Sequence, residues 1–356
     1  MKSVIVAWHL NPRKNFERLV PLQFLGERNR ALGFQNSIDV VFLEGLQHLP
    51  SEYRGKLSEL GFTLYDASSL YREQAERYAK LSRFGDYEFK CMLRWPVLQH
   101  LFSGTSLIHY DGDILFNECP SKIAELAAGQ TFVLQGCPAM AAISTPSWYM
   151  QYQIHLDRLA SDVEGYSQEA WKQRVGWEKS QFEHWAGARD REIITSDQDL
   201  ISHLLHTRNL PQDSVSKIQE RFDRYILMEN PLYPHLYAGG VPFRYVRDSG
   251  IDYFDTLQGV VGESVRKQVL FWHMQGCFNF YASKNILRQH LPEYFRKDRM
   301  ELDLSGKRLE DRINRKLGRF FRHTDRYAVY DFYFRKYDFG TLFSDKTWWK
   351  PGVFTE

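Results

Sequence analysis

The chain of 356 residues is 43% hydrophobic and 25% charged, a globular balance that excludes a disordered polymer and allows one large α/β domain, or a catalytic domain with an appendage. Its formal net charge of +2 points to no nucleic-acid partner, but the charge is unevenly placed. Residues 1–283 carry 29 basic and 33 acidic side chains, whereas residues 284–326 carry 13 basic and 7 acidic.

In chain order, short apolar runs at 3–8, 38–43, 62–65, 106–109 and 131–134 predict buried strands. Helical patterns at 16–32, 69–81 and 87–102 lie between them, and in the last Phe89, Leu93, Val97 and Leu101 form a stripe. This alternation predicts an α/β fold, a mostly parallel sheet with helices on both faces, where ligands sit at the carboxyl ends of strands. Residues 147–210 read as mostly helical, the Pro/Gly cluster at 231–242 as a loop, and 243–246 and 269–272 as strands. The composition shift near 284 divides a domain at 1–283 from a basic, aromatic-rich extension at 284–356.

In that extension Leu309, Ile313, Leu317, Phe320 and Phe321 recur at helical spacing among Arg308, Arg312, Arg315, Lys316, Arg319 and Arg322. A helix over 308–322 with a cationic face fits peripheral contact with an anionic membrane, or packing on its own domain. No apolar run reaches the roughly 18 to 20 residues of a membrane span. The apolar run after Lys2 is too short for a secretory signal. Cys91, Cys119, Cys137 and Cys277 form no CxxC pair, and a cytoplasmic location is expected. The aromatic share of 15% serves a core, or stacking on sugar rings and nucleobases.

The chemistry concentrates at Asp111-Gly112-Asp113, where an apolar strand runs into two carboxylates. Residues two apart in extended backbone face opposite ways, so a turn at Gly112 is expected to bring both to one ion. Paired carboxylates at a strand end suit Mn²⁺ or Mg²⁺ carrying a diphosphate, although a surface hairpin turn would use the same residues. His273 follows the last strand-like run and precedes Gly276, so it is a third ligand or a structural histidine. Asp197-Gln198-Asp199 opens a helix, where these acids serve either a site or a cap. Lys90 and Arg94, one helical turn apart, face a diphosphate or solvent.

In this order the motifs resemble those of the GT-A-fold glycosyltransferases, closest to the glycogenin-like and lipopolysaccharide-galactosyltransferase-like retaining group. The resemblance covers about residues 3–280 and rests on Tyr110-Asp111-Gly112-Asp113-Ile114-Leu115 and on His273 to Gly276. It implies that Ala7, Trp8 and His9 contact the nucleotide, together with Lys90, Asp111 and Gly276. It implies that Asp111, Asp113 and His273 hold Mn²⁺ (or Mg²⁺), and that Asp197 or Asp199 acts on the sugar as a catalytic group. The implied donor is a nucleotide sugar, UDP-linked first, and the acceptor a glycan or lipid-linked glycan. Cys277-Phe278-Asn279 stands where the group commonly has a Lys. A metal-dependent phosphotransferase or nucleotidyltransferase, or a non-catalytic nucleotide-sugar-binding protein, would use the same carboxylates. No GxxxxGK[ST] loop is present.

Overall fold

The computed structural model describes residues 1–8, 20–35, 37–49, 51–134, 138–173, 193–227, 243–249, 251–257, 264–273 and 348–349. Its centre is a six-stranded sheet in the order β3-β2-β1-β4-β7-β6. The strands are β1 (Lys2–Trp8), β2 (Ile38–Glu44), β3 (Phe62–Asp66), β4 (Leu107–Tyr110), β6 (Phe132–Val133) and β7 (Met140–Ile143). β1 pairs in parallel with β2 and β4, β2 with β3, and only β7 runs against its neighbours. The protein is thus α/β, with a mostly parallel central sheet flanked by helices.

Strand residues alternate between two cores, as the two-residue period of extended backbone requires. Ile5, Val40, Phe42, Ile108 and Tyr110 pack on one side with α1 (Val20–Ala31), α2 (Ser51–Glu59) and α5 (Pro120–Leu126). Val4, Val6, Val41, Leu43 and Leu107 pack on the other with α3 (Ser68–Arg77), α4 (Asp86–Leu101), α6 (Pro146–Ser161), α7 (Val163–Gln173) and α8 (Asp197–His206). Burial on both faces is why these strands read as continuous apolar runs rather than alternating ones.

α4 crosses Pro96 without breaking. Proline removes the amide that would bond the carbonyl of Met92, and the Tyr152 hydroxyl donates to that carbonyl instead, at 3.1 Å. Gly85, at φ 104°, opens the helix in a backbone region that other residues avoid.

Two smaller sheets complete the described chain. β5 (Ile114–Phe116) pairs antiparallel with β12 (Phe271–His273), Ile114 opposite His273 and Phe116 opposite Phe271. The other has the order β13-β9-β10-β11-β8, from β8 (Tyr225–Ile226), β9 (Phe243–Asp248), β10 (Ile251–Leu257), β11 (Ser264–Val269) and β13 (Trp348–Trp349). Between α8 and β8 lies α9 (Val215–Arg221).

The helix expected at 69–81 ends at Arg77 and passes into a 3₁₀ segment over Ala79–Phe84. The apolar run at 269–272 divides at Leu270, which bonds Ile226, so β11 and β12 join different sheets. Residues 284–347, including the basic segment 308–322, lie outside the described residues, as do His9 and Gly276. Among the described residues no helix is long and apolar enough to cross a membrane.

Candidate metal centre

β4 ends at Tyr110, and the chain turns through Asp111, Gly112 and Asp113 before β5 begins. Both ends of the turn are fixed. The Asp111 amide donates to the carbonyl of Ala139 at 2.9 Å, which continues the β4–β7 pairing. On the other side, the β5–β12 ladder sets Ile114 opposite His273 and so brings the imidazole beside Asp113. Arg28 on α1 holds the far end of β5, donating to the Phe116 carbonyl and, at 2.7 Å, to Asn117 Oδ1.

His273 Nε2 stands 3.6 Å from Asp113 Oδ1 and 4.0 Å from Asp111 Oδ2, and one ligand atom from each of the three residues falls within 4.8 Å of the others. His273 is buried, while the two carboxylates keep 28% and 29% of their side chains exposed. Two carboxylate oxygens and an imidazole nitrogen this close together are a donor set that suits Mn²⁺ or Mg²⁺. The expected reason for Gly112 does not hold. Its φ is not in the left-handed region, and a Cβ there would meet only Ile5 Cγ2 at an ordinary 3.8 Å. The turn therefore requires no glycine.

Behind these three residues lies a buried cation. Arg94, 5% exposed, donates through Nη1 to Asp111 Oδ1 at 2.7 Å and through Nε to Asp197 Oδ2 at 2.9 Å. Its Nη2 also stands 2.6 Å from Asp197 Oδ2, and the Trp95 indole donates to the same oxygen at 2.9 Å. One guanidinium thus ties the strand-end carboxylate to the first turn of α8. Three carboxylates stand against one arginine in this cluster, a balance that could accommodate a divalent cation.

The two aspartates of the turn titrate apart. Burial is the largest influence on Asp111 and raises it, but Arg94 and the neighbouring histidines together outweigh it, and its carboxyl lies below the usual range. Asp113 has no such partner; burial raises it, the nearby Asp111 adds to the rise, and His273 only moderates it. His109, fully buried in β4 with Nδ1 3.1 Å from the Pro138 carbonyl, is held neutral. Burial, then the Arg94 charge, push it down to about 3.

The remaining expected site residues separate. Ala7 and Trp8 end β1 at the carboxyl edge of the sheet, where Trp8 meets the Tyr87 ring edge-on at 5.6 Å. Lys90 is 1% exposed and faces no open site, being paired with Glu44 at 3.1 Å and with Asp86. Asp199 closes a capping box, its Oδ2 accepting from the amides of Thr195 and Ser196 while Ser196 Oγ accepts from the Asp199 amide. Asp197, 3% exposed, takes no part in the cap and accepts from Arg94 and Trp95. The link made by Arg94 was missed in the sequence, although a signal was present. It is the single charge in the apolar run 91–98, and a charge in such a run is buried and paired.

The chain matches no known family model, no curated protein and no solved structure.

Proposed function

We propose that the protein is a metal-dependent glycosyltransferase, moving a sugar from a nucleotide-sugar donor to a glycan or lipid-linked glycan acceptor. The observation that carries the reading is the convergence of Asp111, Asp113 and His273 at the carboxyl edge of a mostly parallel sheet, from segments far apart in sequence. These three residues would hold Mn²⁺ or Mg²⁺. When bound, such an ion offsets the negative charge that collects on a departing diphosphate.

The chain's own residues supply the rest. Arg94 fixes Asp111 so that one carboxylate oxygen stays directed away from the helix, and the Asp197–Trp95 pair fixes Arg94 in turn. Trp8, at the end of β1, supplies an aromatic edge at the rim where a nucleobase would lie. The resemblance favours retention of configuration at the transferred carbon and a UDP-linked donor.

The test is a screen of UDP-, GDP- and CMP-sugars for Mn²⁺-dependent hydrolysis or transfer, with Asp113→Ala as the control. Turnover that needs the metal, and is lost in Asp113→Ala, supports the reading. Turnover of a nucleoside triphosphate with no sugar transfer would move the assignment to a phosphotransferase or nucleotidyltransferase. Full activity in EDTA would remove the metal from the mechanism.

A further inference from the structure

In an open α/β sheet ligands bind in the crevice where the strand order reverses, outside the carboxyl ends of the strands. That crevice lies between β1 and β4, because the chain passes from β1 to β2 and β3 on one side and returns to β4 on the other. Asp111 stands on the β4 side of it. The β1 side ends at Trp8, which is 9% exposed and belongs to the core packed under α4. Its ring meets that of Tyr87, in the first turn of α4, with centroids 5.6 Å apart and planes at 63°. Tyr87 is 50% exposed, and of the large apolar side chains exposed among the described residues it is the one aromatic. An edge-on contact involves at most one face of a ring, so at least one face of Tyr87 is left outside it.

Two connections tie Tyr87 to the metal centre. Tyr87, Cys91 and Arg94 fall at i, i+4 and i+7 and share one face of α4. On that face Arg94 bonds Asp111 Oδ1 at 2.7 Å. Trp8 gives the second connection. Ile5 pairs with Tyr110, so Asp111 follows at the level of Val6, and Val6 and Trp8 both pack on the α4 side of the sheet. Trp8 is then two residues beyond that level, about 7 Å along the strand and one strand spacing, about 5 Å, to the side. Burial, then Cys91, Asp111 and Asp113, raise the Tyr87 phenol, with Arg94 opposing, so the carboxylates of the centre reach it.

We infer that Tyr87 is the platform on which the donor's nucleobase stacks, with Trp8 as the brace that holds its ring, an inference that rests on the nucleotide-sugar reading. A nucleoside diphosphate held by its phosphates at Asp111 and Asp113 has its base on the far side of the ribose, across the crevice toward β1. There the buried Trp8 offers little surface, whereas the exposed ring of Tyr87 offers a flat apolar face. A ring already fixed by a buried neighbour loses little freedom on binding, so the stacking is kept as affinity. Every base has a π face, so such a platform separates nucleotides from inorganic diphosphate more than it separates one base from another. Tyr87 is thereby a specificity residue for the donor and takes no part in bond making.

The experiment titrates the Mn²⁺-loaded wild type, Tyr87→Ala and Tyr87→Phe with UDP, GDP and inorganic pyrophosphate by calorimetry. Tyr87→Ala is expected to bind the preferred nucleotide at least about 10-fold more weakly, with pyrophosphate affinity within about twofold of wild type. Tyr87→Phe should keep nucleotide affinity within about twofold, because the ring and not the hydroxyl stacks. Thermal melting of both variants checks the fold. Nucleotide affinity unchanged in Tyr87→Ala overturns the inference and leaves the glycosyltransferase reading in place. Equal losses for nucleotide and pyrophosphate also overturn it, since Tyr87 would then support the metal centre alone. A wild type that binds neither nucleotide overturns both.

Discussion

The Arg94–Asp197 pair makes a quantitative demand on stability. Both side chains are almost fully buried, at 5% and 3% exposure, and joined at 2.6 and 2.9 Å. In Arg94→Met the apolar stem is replaced but the guanidinium is lost, leaving Asp197 with the Trp95 indole as its remaining partner from this group. A buried carboxylate deprived of its cation costs about 3–5 kcal/mol. Asp197→Asn keeps the shape and an acceptor oxygen, and Arg94 keeps Asp111 at 2.7 Å. The loss is then one charge-assisted contact, about 1.5–3 kcal/mol. In the double variant the orphaned charge is gone, so the two costs should not add. The coupling is expected at about 1–3 kcal/mol. Urea denaturation of the four proteins measures it, and with an m-value of about 3 kcal/mol/M the Arg94→Met midpoint should fall by about 1 M or more. Costs that add within about 0.5 kcal/mol, or an Arg94→Met midpoint equal to wild type, would refute the coupling of α4 to α8 through this pair.

Other consequences are checked more simply. His273→Ala and Asp113→Ala should each weaken Mn²⁺ binding by about 100-fold or more, with Asp113→Ala changing stability by no more than about 1 kcal/mol and the buried His273→Ala costing about 1–3 kcal/mol, read by manganese EPR titration and thermal melting. Mn²⁺ affinity should fall on acidification at a higher pH than an ordinary carboxylate would impose, because the raised Asp113 carboxyl takes up its proton first and a protonated ligand is lost. His109 is depressed to about 3 in the fold from 6.5, so its contribution to stability is complete above 6.5 and lost as pH falls through that window. Acid unfolding should steepen there by about 1.4 kcal/mol per pH unit and flatten in His109→Asn. Tyr152→Phe leaves the Met92 carbonyl beside Pro96 unbonded, and thermal or urea unfolding should show a loss of about 1–2 kcal/mol.

Local pattern was enough for the parts of the fold that depend on local pattern. The apolar runs of β1 and β2 follow from burial on two faces and are visible as spacing, whereas α4 is buried on all sides from Phe89 to Leu98, more than the stripe at Phe89, Leu93 and Val97 announced. β5 and β12 were not legible as a pair, because a ladder between Ile114 and His273 is a choice among many distant partners and leaves no periodic trace. The 3₁₀ segment at Ala79–Phe84 escaped for a related reason, since apolar residues there continue a helical rhythm that the backbone abandons.

The site divides along the same line. Asp111 and Asp113 lie two residues apart, and residue type and spacing pointed to one shared ion or to a surface turn. His273, read alone, was a third ligand or a structural histidine, and only the resemblance through His273 to Gly276 implied the ligand. What could not be read is how one residue changes the role of another. Asp197 and Asp199 are separated by one residue and of one kind, yet Ser196 draws Asp199 into a cap and Arg94 draws Asp197 into a buried ion pair. The same division sets Lys90 apart from Arg94, since one helical turn is enough to move a cation from the site to a pairing with Glu44 and Asp86.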